Sequence, residues 1–199
     1  MSGLFIAIEG LDGAGTTTQT DLLTQWLAGM GKPCHRTNEP SRGPIGVLIR
    51  EFLAGHNAPA DPDALALLFA ADRMDHLRRE IRPALDAGMI VVSDRYVLSS
   101  LAYQGRQGNL SWVRELNSRA TVPDVVIFLE VGVSTCLTRL QSRGTTQDIY
   151  ENEGVLTAVY DGYQAALAAT PSDSVVILDG EQAPTAVFEA IKKVVLSRL

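Results

Sequence analysis

The sequence predicts a single α/β domain in which a central parallel sheet of five strands lies between layers of helices, with a small lid over one edge. Three observations predict it. Short apolar runs rich in branched residues recur along the chain, segments of helical period separate them, and a glycine-rich turn joins the first run to the first helical segment. Buried parallel strands read as continuous apolar runs because both their faces are covered, and strands alternating with helices imply βαβ units.

The elements follow in order. Residues 5–8 form the first strand and 18–30 the first helix, with a weaker strand at 34–37. A long helical segment spans 64–87, strong strands cover 89–92 and 125–131, and helices cover 134–142 and 155–169. A weaker strand at 175–178 and a helix at 185–199 close the chain. Substantial loops are expected only at 54–62 and 142–150, and the expected lid covers about 142–151. No repeat, low-complexity tract or long linker divides the chain, so residues 1–199 are expected to be one domain.

Composition narrows the function. At 46% hydrophobic and 20% charged residues over 199 positions, the chain has an ordinary globular balance and enough length for a core. Met1 runs straight into an apolar segment with no basic region or long apolar stretch, which predicts a first strand in the cytoplasm and no membrane partner. Cys34 and Cys136 suit neither a disulfide framework nor a zinc site and are expected to be buried thiols. A net charge of −6 argues against a nucleic-acid partner, since phosphate backbones are held by positive surface. A small anionic ligand is still compatible, because a few guanidinium groups and backbone N–H donors in a cleft suffice.

In an open α/β sheet the ligand sits outside the carboxyl ends of the strands. Here those positions are residues 9–18, 38–43, 94–96 and Glu130. The first holds Gly10-Leu11-Asp12-Gly13-Ala14-Gly15-Thr16-Thr17, whose outer glycines are in register with the phosphate-loop pattern G-x-x-x-x-G-K-[ST]. Glycines let successive N–H groups turn inward around an anion, and the following helix adds its positive end. Gly10, Gly13, Ala14, Gly15, Thr16, Thr17 and Thr18 are the expected ATP-binding residues, with Thr17 as a magnesium ligand. The lysine position, however, holds Thr16.

That lysine would neutralise charge on the departing phosphoryl group, and threonine cannot. Lysine occurs only at Lys32, Lys192 and Lys193, so arginine must supply the charge. Arg139 and Arg143, four apart just before the expected lid, are the candidates; on spacing alone they could equally be solvated surface arginines.

Phe69 and Arg73 share one helix face and could stack on and bond a base, though spacing alone fits a core ring, a surface ion pair and an ordinary helical His76. Asp94-Arg95-Tyr96 sets a carboxylate and an arginine at the end of a buried strand, where unused charges are costly. The pair suits contact with magnesium or phosphate, with Asp94 as the expected metal contact; the alternative is a structural Asp-Arg pair. Residues 99–105 offer hydroxyl and amide groups suited to a base edge and sugar.

Together these segments resemble thymidylate kinase. The family's E-G-x-D-G-x-G-K-T-T is matched at 9–18 except at Thr16, Phe-Ala-Ala-Asp-Arg at 69–73, and Asp-Arg-Tyr with Ser-Ser-x-Ala-Tyr-Gln at 94–104, while Pro123-Asp124 precedes the fourth strand as in the family. The resemblance implies a P-loop kinase fold, a homodimer and ATP-dependent phosphorylation of dTMP with magnesium. By it, Phe69 stacks on thymine, Arg73, Ser100 and Gln104 contact the base, and Arg95 holds the acceptor phosphate. Asp12 lies by the sugar and phosphate, and Tyr103 crowds the 2′ position. With uncharged Ala14 in the loop, the chain resembles the type whose lid supplies the catalytic arginine, so Asp12, Arg95, Arg139 and Arg143 form the expected catalytic set.

The family's Thr-Arg-Glu-Pro is Thr37-Asn38-Glu39-Pro40 here, and Arg42 is expected to replace the missing arginine at the acceptor. The lid's Asp-Arg-x-Glu is Asp148-Ile149-Tyr150-Glu151. The rival readings are another small P-loop kinase, acting on a different nucleotide or a deoxynucleoside, and a nucleotide-binding homologue without turnover.

Overall fold

The computed structural model describes residues 3–56, 61–107, 109–143, 152–171 and 175–199. Most of the expected lid, including Ile149, falls outside these residues, as does the side chain of Arg143. Five strands, β1 (Leu4–Gly10), β2 (Cys34–Asn38), β3 (Ile90–Asp94), β4 (Val125–Glu130) and β5 (Val175–Asp179), form one sheet in the order β2-β3-β1-β4-β5. Every pairing is parallel. The central strand β1 aligns Ile6 with Val92 on one side and Val125 on the other, and all three side chains are fully buried.

The helices are α1 (Thr16–Gly29), α2 (Pro44–Leu53), α3 (Pro62–His76), α4 (Arg82–Asp86), α5 (Val97–Tyr103), α6 (Leu110–Leu116), α7 (Val133–Arg143), α8 (Glu153–Ala168) and α9 (Pro184–Leu196). A main core gathers Ile8, Leu23, Leu27, Ile127 and Ile191, and a second, smaller cluster packs Phe5, Val91 and Tyr96 against Leu77 and Ile81. Helix α3 and α4 are joined by a π-turn at Leu77–Ile81. Pro83 explains it: proline has no N–H for the Arg79 carbonyl and its ring crowds that oxygen, which a wider turn relieves. The single helix expected over 64–87 is therefore interrupted.

Both cysteines are free; Cys136 is buried and Cys34 half-buried, and burial pushes their thiols up to about 12 and about 11. Among the described residues no helix is long and apolar enough to cross a membrane.

Helices α5 and α8 lie close because Gly162 has no side chain: a Cβ there would sit 2.3 Å from the Ala102 carbonyl oxygen. The approach brings the next residue, Tyr163, fully buried, beneath the carboxyl end of β1.

Candidate active site

The loop after β1 is shaped by Gly13 (φ 88°) and Gly15 (φ 97°), both in the left-handed region that glycine adopts at no steric cost. Gly15 caps α1 without a side-chain bond, which leaves first-turn N–H groups available to an anion. Thr16 is buried, its methyl carbon 3.3 Å from where a Gly10 Cβ would stand, so it packs against the floor of the loop. Thr17 donates its hydroxyl to Asp94 Oδ2 at 2.6 Å. The other oxygen, Asp94 Oδ1, is buried and without a hydrogen-bond partner among the described residues. An orphaned carboxylate oxygen beside a hydroxyl fits a hard divalent cation that takes its remaining ligands from phosphate and water.

One side of the loop faces a cavity of about 270 Å³ lined by Asp12, Glu39, Pro40, Arg50, Leu53, Phe69, Arg73, Arg95, Tyr96, Ser99, Ser100, Tyr103 and Gln104. Arg95 stands between loop and cavity. Its Nη2 meets Asp12 Oδ1 at 2.6 Å and its Nη1 the Gly10 carbonyl at 2.7 Å, while Tyr103 donates its hydroxyl to Asp12 Oδ2 at 2.7 Å. Burial works against charge on Arg95, but Tyr103, Asp12, Tyr163 and Asp94 hold its pKa well above the ordinary value. Burial likewise raises the Tyr103 pKa well above that of a free phenol, so it acts as a neutral donor. Arg95 also takes φ 69°, uncommon and costly for a non-glycine residue.

Deeper in the cavity Arg73 is only 1% exposed. It donates to Glu39 at 2.8 Å, to the Tyr96 carbonyl and Ser100 Oγ at 3.1 Å each, and to Asn117. His76, also buried, bonds Glu39 at 3.2 Å and Thr37 at 2.6 Å. A buried guanidinium needs such partners, and the array fixes it against the cavity wall. Gln104 carries a buried Oε1 with no partner among the described residues.

The other side of the loop opens on a second cavity of about 330 Å³, lined by Gly13, Ala14, Gly15, Thr18, Gln19, Arg139, Ser142, Gly180, Gln182, Pro184 and Val187. Arg139 donates to the Ala14 carbonyl at 3.4 Å and the Gly180 carbonyl at 3.1 Å, tying α7 to the loop and to the turn after β5.

The structure thus gathers Asp12, Phe69, Arg73, Arg95, Ser100, Tyr103 and Gln104 in one cavity, Thr18 and Arg139 in the other, and Thr17 with Asp94 between them. Arg42 is the exception: it is exposed and does not line the first cavity. Arg50, eight residues further on, lines it instead, donating to the Ser41 and Gly46 carbonyls at 2.6 and 3.1 Å. The apolar face of α2 carries Arg50 inward while residue 42 precedes the helix. Glu9, Glu39 and Tyr163 also join the hydrogen bonds of the site, and motif spacing assigns none of them a role. Glu39 had a signal in its place directly after β2; Tyr163 had none, since its role rests on helix contact.

Residues 8–191 match the protein family described as thymidylate kinase. The chain is 40% identical over 196 residues to a probable thymidylate kinase of Pyrobaculum aerophilum, covering 96% of this chain and 97% of that protein. It is 41% identical to a probable thymidylate kinase of Caldivirga maquilingensis (80% and 78% covered) and 41% identical to a thymidylate kinase of Leifsonia xyli subsp. xyli (88% and 86% covered).

Proposed function

This chain belongs to the thymidylate kinase family and phosphorylates dTMP, and we propose that it does so by direct in-line transfer from ATP, with dTMP in the Asp12–Arg73 cavity and ATP along the glycine loop. The observation that carries the placement is Asp12: one carboxylate, set in the loop, holds both Arg95 and Tyr103 of the acceptor cavity. Loop and acceptor pocket therefore share one rigid group, which favours alignment of the two reactants.

In this reading Phe69 stacks on thymine, while Arg73, Ser100 and Gln104 bond its edge. Tyr103 crowds the sugar, and Arg95 holds the acceptor phosphate with Arg50 as a further cation in the wall. Backbone N–H groups at 13–16 hold the donor phosphates, and Arg139 or Arg143 supplies the charge that Thr16 lacks. Magnesium, held by Thr17 and Asp94, would neutralise the donor phosphates. No strong base is required, because an acceptor phosphate oxygen is already anionic. A cytoplasmic homodimer completes the proposal; Leu67 and Met74, seven residues apart on α3, and Val47 and Leu48 on α2 expose large apolar side chains suited to a partner copy.

The test follows ADP formation with ATP, magnesium and each of dTMP, dUMP, thymidine and the other deoxynucleotides. Selective turnover of dTMP, reduced about tenfold or more in Arg139→Ala or Arg143→Ala, is expected for loss of a charge that acts in the transition state. Full activity in both variants would overturn the arginine assignment.

A further inference from the structure

Glu9 is fully buried near the end of β1 and lines neither of the two cavities beside the loop, yet both its oxygens are in use. Oε1 accepts the Tyr96 N–H at 2.9 Å and the Ser99 N–H at 3.2 Å, so it caps the first turn of α5. Oε2 accepts the Ser99 hydroxyl at 2.5 Å and lies 3.3 Å from the Tyr163 hydroxyl. Those two hydroxyls in turn accept from Arg95 Nη1, at 3.2 and 3.1 Å.

The polarity of this array matters. Ser99 has one hydroxyl proton and gives it to Glu9, which leaves its lone pairs to face Arg95. The Tyr163 hydroxyl lies 2.8 Å from Ser99 Oγ, 3.0 Å from the Gly10 carbonyl and 3.3 Å from Glu9 Oε2; its one proton goes among these oxygens, which again leaves lone pairs to face Arg95. Arg95 itself is held at φ 69°, and the backbone around it is pinned by the Arg95 N–H on the Ile8 carbonyl (2.8 Å) and by Glu9 on the next N–H. We infer that Glu9 is a positioning residue: through Ser99, Tyr163 and the Tyr96 N–H it fixes the Arg95 guanidinium where the acceptor phosphate is bound. The inference rests on the reading of Arg95 as the phosphate contact.

Glu9→Gln tests it with little change of volume. An amide presents N–H on one side, so either the hydroxyls must turn their protons toward Arg95 or the α5 N–H groups face another donor. Binding of dTMP and of thymidine, which lacks the phosphate, is measured by calorimetry for the parent, Glu9→Gln, Glu9→Asp, Arg95→Ala and the Glu9→Gln/Arg95→Ala double variant. The expected result is that Glu9→Gln weakens dTMP by about tenfold, leaves thymidine within twofold, and adds nothing once Arg95 is gone, as coupled neighbours do. Equal weakening of dTMP and thymidine would show a merely structural role, and dTMP binding unchanged in Glu9→Gln but lost in Arg95→Ala would also overturn the inference. Unchanged dTMP binding in Arg95→Ala would remove the phosphate reading beneath it.

Discussion

Glu9 carries a second consequence at the scale of the single residue. Burial raises its pKa above the ordinary 4.5, with the Ser99 hydroxyl and the Arg95 guanidinium pulling the other way. The folded chain thus binds this proton more tightly than the unfolded chain does. Stability from the group is fully present below pH 4.5 and is lost as pH rises through the folded pKa. Melting temperature measured across that window should fall in the parent relative to Glu9→Gln, which has no proton to lose; parallel profiles would show that the hydrogen bonds fully offset burial. The sequence marks this position only as the first residue of the E-G-x-D pattern and says nothing of its partners. A glutamate before a glycine loop reads as a loop polar group, and only the folded chain reveals that Ser99 and Tyr163, from 90 and 154 positions away, converge on it. For Arg73, spacing alone leaves the place of the guanidinium open. Helical spacing permits a surface ion pair, whereas Glu39 and Asn117 draw it inside.

At the scale of elements, the strands were legible because burial on both faces demands unbroken apolar runs, and β1, β3 and β4 carry such runs. The helices α2 and α6 were not, being short, with α6 only seven residues and one buried side chain. The glycine loop was legible through its spacing, and the structure separates the duties of its glycines. Gly13 at φ 88° faces α7 so closely that a Cβ would lie 2.6 Å from the Cys136 carbonyl oxygen, whereas Gly15 at φ 97° has nothing within 4 Å. Gly15→Ala should therefore cost only the left-handed backbone strain, about 1–2 kcal/mol. Gly13→Ala should cost that strain plus about 1–3 kcal/mol of overpacking against α7. Denaturant titration of both variants gives the comparison, and equal losses would contradict the contact with Cys136.

For the whole molecule, α2 and α3 decide more than the acceptor pocket. Their inner faces contribute Arg50, Leu53, Phe69 and Arg73 to the cavity wall. Their outer faces leave Val47 at 49%, Leu48 at 38%, Leu67 at 50% and Met74 at 37% exposed, although each is a large apolar side chain. Scattered exposed apolar residues are ordinary, but here two helices packed against each other carry four of them. Covering those side chains with a second copy would remove apolar surface from water and brace the helices that wall the cavity proposed for dTMP. Leu67→Glu places a charge among these side chains at a residue that does not line the cavity. Sedimentation should then show a dimer for the parent and a monomer for Leu67→Glu. If the pocket is braced by the partner, the monomer should need several-fold more dTMP for half-maximal rate while its requirement for ATP, proposed to bind on the other side of the glycine loop, stays the same. A dimeric Leu67→Glu would place the interface elsewhere, and a monomer with unaltered dTMP requirement would mean that α2 and α3 hold the acceptor wall by their own packing.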